Sequence, residues 1–496
     1  MKILLLPLLL ASLVAAAPTR DADTETWWRI AVALSDDGME GRDTGSAGYD
    51  RAAALVAQRL AAAGVRPAGD GGGWFQTVPL EELAVRDAAI AVDGRPLDFL
   101  QDITVTPESV GAPLDLPIAY RGYCASDALG DVRGKLVICH GSRREGMPAP
   151  AQRTAALVRA GAAAVAVIAD PGFTVEPPRW PFAYARSVWI AGETRPQPSL
   201  PSFALNADAL GAMLAGSGRD ASALIADGAS GRALPSFDAP GRFTARFTLA
   251  RRTYSSKNVI GLFPGTDPAL ADQPIVLTAH LDGYGYGRAV DGDRLYNGTL
   301  DDAAYVALIV HMIERRHGHG FRRPLLVAAV TGEEKGLLGS KWLVAHRPAT
   351  APHFAADINL DQLRPIFPLE LLTVHGLDDS SLGADARAIA ATLGFAVQND
   401  PEPERNLLRR SDHWNFMQAG VPAVNFVFGF RPGTQSERIY RQWYRTGYHR
   451  PQDDPQQPID WTAAADFNRF YYALVERVAD ADAPPAWRET SPLRPR

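Results

Sequence analysis

At 496 residues and 46% hydrophobic content, the chain can build about two to four domains with sizeable cores. Its formal charge of −6 and lack of any basic block argue against a nucleic-acid partner. Forty-four glycines and 38 prolines fit many loops rather than a helical bundle.

The chain begins MKILLLPLLLASLVAAAPTR, with Lys2 as a positive head and an apolar run from Ile3 to Val14. Small residues follow at Ala15–Ala17, where a signal peptidase cuts. Residues 1–17 are therefore expected to be a signal peptide, and the protein to be exported to a periplasm or the medium. No other stretch has the ~18 apolar residues of a spanning helix, so no stable membrane insertion is expected after cleavage. Cys124 and Cys139 are the only cysteines. Export would allow them to join, and two free thiols remain equally open because sequence gives no distance.

An N-terminal part of the main domain is expected over 18–102, with an amphipathic helix over Ser46–Gly64 ended by Gly64. The strand GWFQTVPL follows. Over 103–249 the texture changes. GKLVICHG and AAAVAVIAD read as buried strands with the helix AQRTAALVRAGA between them, and Pro-containing loops such as VEPPRWPFAYARS follow. No acid–histidine constellation occurs there, which suggests an inserted accessory domain.

Over 250–480 strands and helices alternate. QPIVLTAHLD, PLLVAAV, AADINLD, LELLTVHG and PAVNFVFG read as strands. DDAAYVALIVHMIERRH, LLGSKWLVAH, a segment near Ala384–Leu393 and WTAAADFNRFYYALVERVADA read as helices. Such alternation predicts an α/β fold with a mixed, largely parallel central sheet flanked by helices. Ligands of such sheets sit beyond the carboxyl ends of the strands. Residues 481–496 are expected to form a mobile tail.

TGEEKGLLGS places Glu333 and Glu334 side by side where a buried strand ends. Buried carboxylates are costly unless something positive meets them. His280 and Asp282 end PIVLTAHLD, Asp301 and Asp302 open a helix in GTLDD, Asp361 ends ADINLD, and His449 lies in YHRPQDD. Such hard nitrogen and oxygen donors suit zinc, with manganese or cobalt as alternatives. Five ligands are too few for two separate tetrahedral sites, so Asp301 is the candidate bridge between two ions ~3.5–4 Å apart that share a water. One glutamate would then bind metal and the other take the water's proton. Asp282 can hold the second ring nitrogen of His280.

These segments, in this order, resemble the two-zinc exopeptidases of clan MH, most closely their secreted aminopeptidases, whose relatives include glutamate carboxypeptidase. DGMEGRDTGSAGYDRAA is similar to the usual N-terminal start, the insertion to a protease-associated domain, and NVIGLFPGTDP to the return into the catalytic domain. The resemblance implies a zinc exopeptidase fold of the phosphorylase/hydrolase-like kind and an aminopeptidase acting on peptides with two zinc ions. It implies that His280 and Asp361 hold one ion, Glu334 and His449 the other, and that Asp301 bridges. Glu333 would be the general base, and Asp282 would orient His280. One departure stands out: Leu300 precedes Asp301 where the family commonly has alanine, and its bulk could narrow the pocket.

Other residues have plainer readings. His413 in RRSDHWNF is the rival of His449, and His317 and His319 suit a solvated loop. Arg409 and Arg410 read as surface charge, or, with Arg410 as the candidate, as a clamp for a peptide carboxylate. That second role would make the enzyme a carboxypeptidase or dipeptidase on the same metals. A non-catalytic binding ectodomain and a glutaminyl cyclase are more distant alternatives. Asn297-Gly298-Thr299 is formally a glycosylation acceptor, but a glycan there would crowd the site. Oligomeric state leaves no trace in the sequence.

Overall fold

The apolar runs that read as strands are buried along their whole length in a computed structural model of the protein, which describes residues 20–142, 146–168, 180–195 and 197–495. Every residue of Ile275–His280, Leu325–Val330, Ala356–Asn359 and Ala423–Phe428 is buried. Strands covered on both faces lose the apolar/polar alternation of a half-exposed sheet. They form the centre of the main sheet in the order Ala396–Gln398, Leu371–His375, Ala423–Phe428, Ala356–Asn359, Ile275–His280, Leu325–Val330. Pairing is parallel from Ala423–Phe428 to Leu325–Val330 and antiparallel between Leu371–His375 and Ala423–Phe428.

Helices cover this sheet. Asp21 caps Ala22–Ser35 by accepting from the Thr24 N–H at 2.7 Å, and Asp460 caps Trp461–Ala479 through the N–H groups of Thr462 and Ala463. Trp27, Trp28, Tyr305, Phe467 and Phe470 join the helices to one apolar core beneath the sheet. The expected helix at Ser46–Gly64 forms over Ala47–Ala62, with Ser46 as its cap. The helix at Ala22–Ser35 and the polar helix Gln435–Thr446 were not foreseen.

The insertion is not separated from the sheet by a linker. Ser236–Phe263 is one 28-residue strand, and it pairs along Phe243–Val259 with Phe75–Val92. Its far end pairs with Leu114–Arg121, and its near end with Leu325–Val330. The expected boundary at 249 therefore falls inside a strand, where the register shifts between Thr248 and Leu249. The second apolar core draws on Val85, Ile90 and Val92 as well as Ile118, Leu136 and Phe243. This core thus reaches back to Val85, inside the strand Phe75–Val92 and ahead of the expected start at 103. Its strand–helix–strand unit forms as read, with Leu136–His140 parallel to Ala164–Ile168 and Pro150–Arg159 between them.

The C-terminal segment is packed, contrary to the expectation of a mobile tail. Trp487 Nε1 donates to Gly420 O at 2.8 Å, Ser491 Oγ donates to Asp379, and Leu493 packs against the apolar cluster under the sheet. The signal-peptide segment and the start of the Pro-containing loop lie outside the described residues. Among the described residues no helix is long and apolar enough to cross a membrane.

Cys124 and Cys139 are joined, 15 residues apart in sequence. Replacing both with serine should cost the protein about 3 kcal/mol, the closure entropy of a loop of that length. Urea unfolding of the double variant against the parent measures it.

Candidate metal centre

His280 is the last residue of its strand, and Asp361 and Glu333 lie just past the ends of two neighbours, so one sheet edge gathers them. Asp301 comes to the same edge from the turn Thr299–Ala303, and His449 from the loop after Gln435–Thr446. A cis peptide bond joins Asp301 and Asp302. Gly298 enters that turn with φ of 59°, and a Cβ there would lie 2.4 Å from Asp301 O. Gly332 starts the tight turn under the two glutamates with φ of 67°. The Glu333 carbonyl accepts from the N–H groups of Gly336 and Leu337. Neither glycine position admits an ordinary side chain without strain.

The two oxygens of Asp301 face different histidines. Oδ1 lies 3.2 Å from His280 Nε2, and Oδ2 lies 3.4 Å from His449 Nε2. Asp361 Oδ1 lies 3.7 Å from His280 Nε2, and Glu334 Oε2 lies 3.7 Å from His449 Nε2. The donors of His280, Asp301 and Asp361 fall within 4.8 Å of one another, as do those of Asp301, Glu334 and His449. Glu333 belongs to a third such group with His280 and Glu334, its Oε2 4.0 Å from His280 Nε2. The residues fit a metal. Asp301 Oδ2, Glu334 Oε1 and Asp361 Oδ1 are buried and accept no hydrogen bond from the described residues. Unpaired buried oxygens of this kind are costly unless a cation meets them.

The electrostatics carry the same message. Burial pushes Glu334 up to about 8, with the negative Asp301 adding to it against His449. Burial likewise holds Glu333 well above the ordinary carboxyl range, helped by Asp361 and Glu334 against His280. For Asp301, burial opposes the charge, but the neighbouring His280 and His449 outweigh it and hold the group low. Burial also works against a charged His280, yet Glu333, Asp301, Asp361 and Asp302 raise it well above the usual imidazole range. The cluster has more negative charge than its histidines can balance.

Asp282 takes a different contact from the expected one. His280 Nδ1 is 3.0 Å from the backbone oxygen of Asp282 and 3.9 Å from its carboxylate. The carboxylate instead accepts the Glu333 N–H at 3.1 Å and the Thr44 hydroxyl at 2.9 Å. It therefore ties the glutamate turn to the histidine strand. Asp302 turns inward and accepts the His280 N–H at 3.2 Å.

Several supports escaped sequence reasoning. Arg42 is fully buried and donates to the carbonyls of Leu281, Leu34, Asn297 and Gly298 at 2.7–3.0 Å. It fastens the His280 strand end to the Asp301 turn with a permanent positive charge. Asp453 accepts the N–H groups of Leu300 and Asp301 at 2.9 and 3.0 Å. Ser411 donates to Asp361 Oδ2. Asp453 and Ser411 lie in the segments YHRPQDD and RRSDHWNF, but only the fold shows what they touch.

His413 is buried and stacks on His375, with centroids 6.1 Å apart, outside all three donor groups. His317 and His319 are exposed. Leu300 is turned into the main core rather than toward the site. Asn297 is buried and its Nδ2 donates to Ser35 O and Asp37 Oδ1, which leaves no room for a glycan. Arg409 is exposed over Trp414, and Arg410 is half-buried beside Ser411.

One sheet edge thus gathers three overlapping groups of hard donors that could hold metal. Residues 258–475 match the model of peptidase family M28, which supports a metallo-exopeptidase. The structure is similar to a zinc aminopeptidase from Bacillus subtilis, with 17% identity, 91% of this chain and 94% of that one covered, and a TM-score of 0.60. It is similar to an aminopeptidase from Aneurinibacillus sp. strain AM-1, with 16% identity, coverage of 92% and 94%, and a TM-score of 0.60. It is also similar to a peptidase M28 precursor from Shewanella amazonensis SB2B, with 17% identity, coverage of 95% and 98%, and a TM-score of 0.55. At these identities the likeness speaks for the fold. No curated protein matches the chain.

Arg42→Met should remove at least about 3 kcal/mol of stability, because it leaves several buried carbonyls without donors. Thermal unfolding of the purified variant reads the loss directly.

Proposed function

We propose that the protein is an exported, zinc-dependent aminopeptidase. One observation carries the dinuclear reading: the two oxygens of Asp301 each face a separate histidine, and each histidine has a further acid beside it. In this reading His280 and Asp361 hold one zinc, Glu334 and His449 hold the other, and Asp301 joins them. Manganese or cobalt would suit the same donors. Metal at such a site acts as a Lewis acid toward a carbonyl and makes water more acidic.

The chain's own residues do the rest. Glu333 takes a proton from the attacking water on its carboxylate and passes it to the nitrogen of the leaving amine as the peptide bond breaks. Asp282 holds the glutamate turn in place by accepting the Glu333 backbone N–H. The surrounding carboxylates attract a free, positively charged substrate N-terminus, which favours cleavage from that end. The inserted lobe, expected over 103–249, would correspond to a protease-associated domain in this reading. The leader at 1–17 and the joined cysteines support export to an oxidising compartment.

Glu333→Gln should keep the parent's zinc content and lose about a hundred- to ten-thousandfold in turnover. Glu334→Ala should lower the zinc content itself, measured by elemental analysis. Unchanged turnover in the first, or unchanged zinc in the second, would reassign that residue. Peptides acetylated at the N-terminus should resist the enzyme, whereas amidation of the C-terminus should be tolerated. The reverse pattern would make it a carboxypeptidase and bring Arg410 forward as the carboxylate clamp.

A further inference from the structure

The inserted lobe reaches the candidate metal centre and touches it. Pro181 pairs with Gly287 as an isolated antiparallel bridge. Arg186 of the lobe binds Asp43 at 2.7 Å. Tyr184 stacks on Tyr284, with ring centroids 5.7 Å apart and planes 29° apart. These contacts seat the short turn Phe182–Ala185 over the sheet edge. A cavity of 370 Å³ lies there, lined by Tyr184, Arg186 and Ser187 from the lobe and by Tyr284, Glu334 and Lys335 from the main domain.

From this turn the Tyr184 hydroxyl extends to His449, 3.1 Å from Nδ1. The other ring nitrogen, Nε2, is the one that faces Asp301 and Glu334. An imidazole that binds metal through one nitrogen is held by a bond at the other, which sets both tautomer and ring direction. Tyr284 also comes close, with its hydroxyl 3.2 Å from each ring nitrogen. The bonding directions of those two nitrogens diverge in the ring plane, so one oxygen cannot lie along both. Tyr284 instead lies against the imidazole, centroid to centroid 4.4 Å, while Tyr448 stacks on it at 3.5 Å. The aromatic neighbours confine the plane of the ring, and the Tyr184 oxygen selects which way it points within that plane.

We propose that Tyr184, supplied by the inserted lobe, is a positioning residue for His449: it accepts the Nδ1–H and aims Nε2 at the metal. The proposal rests on the reading of His449 as a zinc ligand. It makes metal affinity depend on how the lobe is seated, since the hydroxyl comes from one lobe and the imidazole from the other. Lobe contacts remote from the donors thereby gain a chemical consequence.

The test is Tyr184→Phe, which removes one oxygen and keeps the stacked ring. Zinc affinity is measured by competition with a chromophoric chelator, alongside the melting temperature of the metal-free protein. The expected result is about 10–100-fold weaker zinc binding, the usual effect of losing such a support. The metal-free melting temperature should match the parent's, and excess zinc should restore occupancy and activity. Parent-like zinc affinity in the variant would overturn the proposal while leaving the zinc reading intact. A lowered metal-free melting temperature with the same loss of affinity would also overturn it, by showing a packing role. A parent protein that takes up no zinc would sink both this proposal and the functional reading beneath it.

Discussion

Carboxylates crowded at one edge of a buried sheet are the constraint from which the rest follows. Asp282, Asp301, Asp302, Glu333 and Asp361 are each under a tenth exposed, and the side chain of Glu334 is only 5% exposed. Like charges in a medium that solvates them poorly repel strongly, and nothing apolar can offset that locally. The fold meets part of the demand itself. Arg42 brings a fixed positive charge under the cluster, and backbone N–H groups point at Asp282, Asp302 and Asp453. The oxygens left over face inward in two groups around His280 and His449.

The same constraint explains why support comes from so far along the chain. The Asp301 turn lies among neighbouring buried acids. It is tied from Arg42 on one side and Asp453 on the other, residues more than 400 positions apart in sequence. The long strand Ser236–Phe263 does comparable work on a larger scale. By running unbroken from the lobe into the catalytic sheet, it fixes the position of the Phe182–Ala185 turn relative to the site. A hinge at that point would leave the wall of the cavity free to drift.

Much of the fold was legible because buried strands and amphipathic helices announce themselves in short windows. PIVLTAH, PLLVAAV and PAVNFVF needed no context to be read as strands. The lobe boundary was misread for the opposite reason. RFTARFTL alternates apolar and polar residues, and the break in alternation at Leu249-Ala250 marks a register shift within one strand rather than the strand's end. The tail was misread because its composition is that of a loose end, while Trp487 and Leu493 find apolar partners only in the folded molecule.

The sequence by itself determined the donor types, their order and the placement of His280, Glu333 and Asp361 at or just past strand ends, because those follow from residue identity and local periodicity. It also carried the adjacent pair Glu333–Glu334 and the only two cysteines. Tertiary structure alone decided which atoms meet. It gave the two oxygens of Asp301 to different histidines, turned the Asp282 carboxylate toward Glu333 rather than His280, joined Cys124 to Cys139 and carried Tyr184 from the lobe to His449. Distance between residues remote in sequence is a property of the packed chain, and no pattern within one segment encodes it.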